Sequence, residues 1–144
     1  MDETQFTIDT HPDGRQVDLL KDRIDTFNMD ETKIRDFEEL AIFLRDSSAE
    51  LIAGLYAYTW GGCLDVQLLW VREGDRGRGL GSKLLSAAER EASARGCHVA
   101  MLATHSFQAP DFYKKLGYEE IGVLAGYPIR HKKYFLKKTL AGQR

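Results

Sequence analysis

The chain lacks any stretch that reads as a membrane helix: nowhere do about 18 apolar residues run together, the least that crosses a bilayer as a helix. Cysteine is scarce. The two present, Cys63 and Cys97, lie far apart and outside any CxxC or Cys/His spacing, which argues against a disulfide framework and a metal site and for thiols in a reducing compartment. There is no excess of positive charge: 20 Lys and Arg stand against 22 Asp and Glu, a net charge of -2. That removes the electrostatic case for general nucleic-acid binding. The opening segment MDETQFTIDT is acidic and has no apolar centre of a signal peptide. Linkers, repeats and low-complexity tracts are missing as well. The expectation is a single domain over 1–144, soluble and cytoplasmic, with no metal, nucleic-acid or membrane partner.

What is present is a globular composition, 43% hydrophobic, with legible periodicities. TQFTIDT alternates and predicts a first strand. Val17, Leu20, Ile24 and Phe27 recur at three- to four-residue spacing, as on an amphipathic helix. FEELAIFLRD and SSAELIAGLYAYTW predict two strands joined at Asp46-Ser47-Ser48, and Gly61-Gly62 a tight hairpin turn into a fourth strand, CLDVQLLWV. In that strand Leu64, Val66, Leu68 and Trp70 are expected on one face, and Asp65, Gln67 and Leu69 on the other. A helix follows (LGSKLLSAAEREASARG, closed at Gly96), then a strand (CHVAMLAT), a short helix ended by Gly117, and two closing strands. The predicted order is βαβββαβαββ, an α/β arrangement with a mixed sheet covered by helices.

Between the fourth strand and its helix lies VREGDRGRGLGSKLL, with glycine at 77, 79 and 81. Glycine is a poor helix starter, so its repetition there asks for a reason. A glycine-rich turn opening a helix suits a phosphate: the first turn carries unpaired N–H groups and about half a positive charge, and a missing Cβ permits close approach. Arg76 and Arg78 would add mobile positive charge. The dinucleotide pattern GxGxxG fails at Ser82, and the P-loop order GxxxxGK[ST] is not met. A plain surface hairpin is the bland alternative.

Arg76-x-x-Gly79-x-Gly81 resembles the acetyl-CoA signature of the GCN5-related N-acetyltransferases (GNAT), Gln/Arg-x-x-Gly-x-Gly/Ala. QAPDFYKKLGYEEIG is similar to the same family's later A-x-x-FY-x-K-x-GY/F segment, in the same order along the chain. The segment through HKKYFLKK also resembles a bacterial small-molecule-type subgroup, although Ile129 and Arg130 stand where its members carry proline and glycine. The resemblance implies the GNAT fold: a mixed α+β domain with a mostly antiparallel, twisted sheet, flanked by helices and splayed between strands 4 and 5. It implies acetyl-CoA as acyl donor. The diphosphate would lie over Arg76, Gly77, Arg78, Gly79, Leu80, Gly81 and Ser82, and the pantetheine arm beside Leu69, Trp70 and Val71. Leu69 and Val71 are also core strand residues on their own pattern, and Trp70 could instead pack under a helix.

Acyl transfer to an amine needs a neutral amine and a protonated leaving thiolate. A free aliphatic amine, with a pKa of about 10.4, is neutral in only about one molecule in a thousand at pH 7. By the resemblance Tyr113 occupies the position of the tyrosine whose hydroxyl reaches the departing sulfur, the alternative being a packed core tyrosine. Asp65 falls at the place of a strand-borne glutamate that serves some relatives as base, though a solvated aspartate would fit the pattern equally. His105 and His131, each at a strand end, are acceptor-site candidates beside a structural or solvated reading. The lysines at 132, 133, 137 and 138 suit an edge strand. Three readings follow: an N-acetyltransferase acting on a small-molecule or peptide amine, as monomer or homodimer; an acyl-CoA-binding module without turnover; and a nucleic-acid-associated protein, against which the charge balance weighs.

Overall fold

The computed structural model describes residues 5–141. By its internal contacts the chain divides into two units, Met1–Arg35 and Asp36–Arg144. The first contains α1 (Gly14–Thr32). Asp13 caps it, accepting the Arg15 N–H at 3.0 Å, and Lys33, left-handed at φ 63°, ends it with an N–H bond to Met29. The stripe of Val17, Leu20, Ile24 and Phe27 falls within it as expected. The strand expected at 4–10 does not form. Residues 5–9 are irregular, Thr4 lies outside the described residues, and alternation without a neighbouring strand leaves the backbone nothing to pair with.

The second unit holds β1 (Glu38–Arg45), β2 (Leu51–Trp60), β3 (Cys63–Val71), α2 (Leu80–Ala94), β4 (Val99–His105), α3 (Pro110–Lys115), β5 (Glu119–Ala125) and β6 (Lys132–Thr139). The observed order is therefore αβββαβαββ. The sheet runs β1-β2-β3-β4-β6-β5, antiparallel throughout except for the β3–β4 pair. With no strand at 4–10, the strands counted as fourth and fifth in the sequence are β3 and β4.

Local chemistry explains the connections. Asp46 accepts the N–H groups of Ser48 and Glu50 and closes the β1–β2 turn. Gly61 and Gly62 both take positive φ between β2 and β3, as the hairpin requires. In α2, Leu85, Ala88 and Ala92 recur at helical spacing and are buried on the sheet with Leu55, Leu64 and Leu136. Alanine at two of those positions lets the helix lie close. Arg95, at the end of α2, donates to the carbonyls of Glu38 and Glu39 and to Thr59 Oγ1 (3.0–3.2 Å), tying the helix to the edge of β1 and β2. Glu89 joins the same helix to the far side of the sheet by accepting from Tyr118 Oη and Lys138 Nζ, each at 2.8 Å.

Candidate active site

Two parallel strands that part company create the site. β3 and β4 pair only from Cys63–Val99 to Asp65–Met101. Beyond Asp65 they diverge, and a cavity of about 800 Å³ opens, lined by residues 66–71, the glycine turn, residues 102–104 and 107–109, and Phe112 and Tyr113 of α3. The far edge of β3 there keeps backbone N–H and C=O groups that β4 does not take up.

A bulge accompanies the divergence. Tyr56 pairs with Leu68 and Ala57 with Val66, so Gln67 is the extra residue. One inserted residue exchanges the two faces of everything after it. Leu64 and Val66 point into the core as expected, but Leu68 and Trp70 are 65% and 47% exposed, while Leu69 and Val71 pack on the core in their place. The expected grouping of Leu64, Val66, Leu68 and Trp70 is thus corrected, as is that of Asp65, Gln67 and Leu69. Trp70 does not lie buried under a helix; it lines the cavity with Leu69 and Val71.

The glycine turn has a separate reason at each position. Gly77 and Gly79 sit at φ +80° and +78°, and a Cβ on either would meet nothing within 4 Å. Left-handed backbone and open space are both what a side chain would spoil. Gly81 has ordinary helical geometry; its missing Cβ makes room for the Phe112 ring, which a methyl would approach to 3.3 Å. The first bond of α2 runs from Lys83 N–H to Gly79 O (3.0 Å), leaving the N–H groups of Leu80, Gly81 and Ser82 without helical acceptors. Both arginines have partners within the turn. Arg76 Nε donates to Val71 O at 2.9 Å, and Arg78 pairs with Asp75 at 3.4 Å. Asp75, only 8% exposed, also accepts from Arg72 Nε at 2.6 Å, and Arg72 reaches Asp46 at 3.4 Å. This buried carboxylate sets the shape of the turn, and the sequence offered only its Arg-x-x-Asp spacing as a signal.

Tyr113 borders the cavity, and burial pushes its phenol above the ordinary tyrosine range. Its ring meets Phe112 and Tyr118 edge-on, at centroid distances of 5.1 and 6.0 Å. Among the described residues its hydroxyl has no hydrogen-bond partner. Asp65 stands apart from the cavity lining and is fully engaged: Oδ2 accepts from Tyr58 Oη at 3.0 Å, and Oδ1 from Gln67 Nε2 at 2.7 Å. Gln67 itself lines the cavity.

His105 and His131 come together through a residue that the sequence reading missed. Phe107 stacks on His105 (5.2 Å, 8°) and meets His131 edge-on at 5.0 Å, and it lines the cavity where neither histidine does. The nearest sequence signal was its place between the end of β4 and Pro110.

A splayed parallel pair with a glycine-opened helix beside it is an arrangement suited to an acyltransferase. Comparison with known proteins agrees. The family model "Acetyltransferase (GNAT) domain" matches residues 39–120. The chain is 37% identical over 107 residues to a blasticidin-S acetyltransferase of Streptomyces morookaense, covering 74% of this chain and 79% of that one. It is 34% identical over 119 residues to an acetyltransferase of Agrobacterium fabrum, covering 83% and 87%. A crystal structure from Agrobacterium tumefaciens, provisionally assigned as an acetyltransferase, superposes with a TM-score of 0.87 at 31% identity, over 95% of this chain and 100% of that one. The chain belongs to the GNAT acetyltransferase family and is an acyltransferase of that family, with the mixed, mostly antiparallel sheet expected of it.

Proposed function

We propose that the chain is an acetyl-CoA-dependent N-acetyltransferase that acetylates a primary amine, on a small molecule or peptide, by direct attack in a ternary complex. The observation that carries this is a single cavity joining the unpaired N–H groups of α2, the open edge of β3 and the Tyr113 ring. Acetyl-CoA supplies the thioester acyl group when bound. The N–H groups of Leu80, Gly81 and Ser82, at the positive end of α2, suit its diphosphate, and Gly77 and Gly79 leave the space for it. The backbone of Leu69, Trp70 and Val71 offers strand-like pairing to the pantetheine arm, with Val71 O already engaged by Arg76.

Tyr113, kept protonated by burial, donates its proton to the departing thiolate. The amine loses its proton to solvent in the cavity, because Asp65 stands off the lining with its oxygens held by Tyr58 and Gln67. The acid acts only as the thiolate develops charge, which is where an interaction accelerates a reaction rather than merely binding the donor. A relative named for acetylating blasticidin S supports a small-molecule amine as acceptor. The test is release of free CoA thiol from acetyl-CoA with a panel of amines. Amine-dependent release supports the reading. Tight acetyl-CoA binding with no release from any amine would instead make the chain an acyl-CoA-binding module.

A further inference from the structure

Resting on the acetyltransferase reading above, we propose that the acceptor subsite is an aromatic shelf built by Phe107, His105, Tyr127 and His131, suited to a planar unsaturated ring that carries an anionic group. The four rings form one cluster. His105 lies parallel on Phe107, Tyr127 meets His105 edge-on at 5.3 Å, and His131 meets Phe107 edge-on at 5.0 Å. Packed rings of this kind are usually hidden, yet Phe107 and Tyr127 are 57% and 50% exposed. Phe107 also lines the cavity, so the shelf continues outward from the place where the acyl group would lie.

The shelf is held in shape before anything binds. His105 N–H donates to Gln108 Oε1 at 2.7 Å, and Ser106 N–H to Lys132 O at 2.8 Å. Lys132 N–H returns a bond to Ser106 Oγ at 3.0 Å, and Gly126 N–H donates to His131 O at 2.8 Å. The loop before β6 is therefore fixed to the end of β4, which lowers the ordering cost of binding a rigid ring.

Charge then selects the kind of ring. Arg130, Lys132 and Lys133 belong to this loop and the start of β6, and none pairs with a carboxylate among the described residues. The Lys133 ammonium stands 5.5 Å from the centroids of Tyr127 and of Phe135. The acidic residues before and at the start of β1 have partners of their own. Asp36 accepts the Gly61 N–H, Glu38 pairs with Arg95, and Glu39 accepts from Tyr56 Oη. An unpaired cationic rim repels polyamines and favours a carboxylate on the bound ring.

Calorimetric titration of the full chain, alone and saturated with CoA, tests this with tryptophan, tryptamine, leucine and spermidine. Tryptophan, with ring and carboxylate, binds most tightly, and spermidine most weakly. Tyr127→Ala weakens tryptophan about three- to tenfold, the scale of one lost aromatic contact, and leaves acetyl-CoA affinity within about twofold. Phe107→Ala does the same to tryptophan, and Lys133→Gln abolishes the preference for tryptophan over tryptamine. Spermidine binding as tightly as tryptophan, tryptophan binding untouched by Tyr127→Ala, or no binding of either indole would each overturn the shelf. Failure of acetyl-CoA itself to bind would sink the acetyltransferase reading, while loss of tryptophan binding in Tyr127→Ala, read on the chain alone, would still support the shelf.

Discussion

Removing one oxygen from Tyr113 separates its chemistry from its packing. In Tyr113→Phe the ring keeps its edge-on contacts with Phe112 and Tyr118, and no hydrogen bond is lost, because the hydroxyl has no partner among the described residues. The oxygen is not shut away from solvent, so its removal frees no buried unpaired group, and the variant's stability should match the parent's within about 1 kcal/mol. Transfer should fall nonetheless by about 10²- to 10⁴-fold, the usual contribution of a positioned acid. Because burial raises the phenol above its ordinary value near 10, it stays protonated through neutral pH and beyond. Its loss of proton therefore imposes no alkaline decline below about pH 10. Urea titration, acetyl-CoA calorimetry and thiol-release kinetics on the same preparation read the three quantities. Undiminished transfer by Tyr113→Phe would refute the acid role, and a loss of acetyl-CoA affinity matching the loss of rate would make the residue a binding group instead.

Gly77→Ala, forced to keep φ near +80°, should cost about 1–2 kcal/mol and lower Tm by roughly 3–6 °C in calorimetry. Gly81→Ala should leave Tm nearly unchanged, since the gain of alanine over glycine in a helix, about 1 kcal/mol, offsets the small shift asked of Phe112. Asp75→Ala strips Arg72 and Arg78 of their shared partner and should cost about 1–3 kcal/mol in urea titration, with weaker acetyl-CoA binding as the turn loosens. Cys63 is raised to about 11, chiefly by burial and then by Asp65 and Cys97. Its folded value exceeds its unfolded one, so its contribution is complete below about pH 8.5 and is lost as pH rises towards 11. Stability should drop between pH 8.5 and 11, and less so in Cys63→Ala; equal pH dependence of the two would show the thiol to be uninvolved.

Punctuation by glycine made much of this fold legible: Gly61-Gly62, Gly96 and Gly117 all take positive φ where the sequence placed a turn or a helix end. The strand, glycine turn and helix of the site were legible for the same reason, because backbone geometry there leaves only glycine at ease. What escaped the sequence depends on partners. Alternation predicts a strand at 4–10 whether or not a neighbour exists to pair with it, and none pairs with residues 5–9. Alternation also assumes unbroken register, so the bulge at Gln67 reversed the faces of residues 68–71 without a trace in composition. Arg76 and Arg78 read as free charge because Val71 O and the Asp75 carboxylate become their partners only once the turn is folded. Phe107 gives no signal in the sequence, because its two histidine partners come from the end of β4 and the loop before β6 and meet its ring only in the fold.

Calorimetric titration of the purified chain beside Gly79→Glu tests whether the splayed strands and the glycine turn hold acetyl-CoA. Gly79 projects into open space at the start of α2, where a carboxylate would meet the diphosphate with like charge. The parent should bind acetyl-CoA one-to-one with micromolar affinity, and a Gly79→Glu variant that remains folded by circular dichroism should lose that binding. Absence of binding by the parent, or equal affinity in the variant, would contradict this.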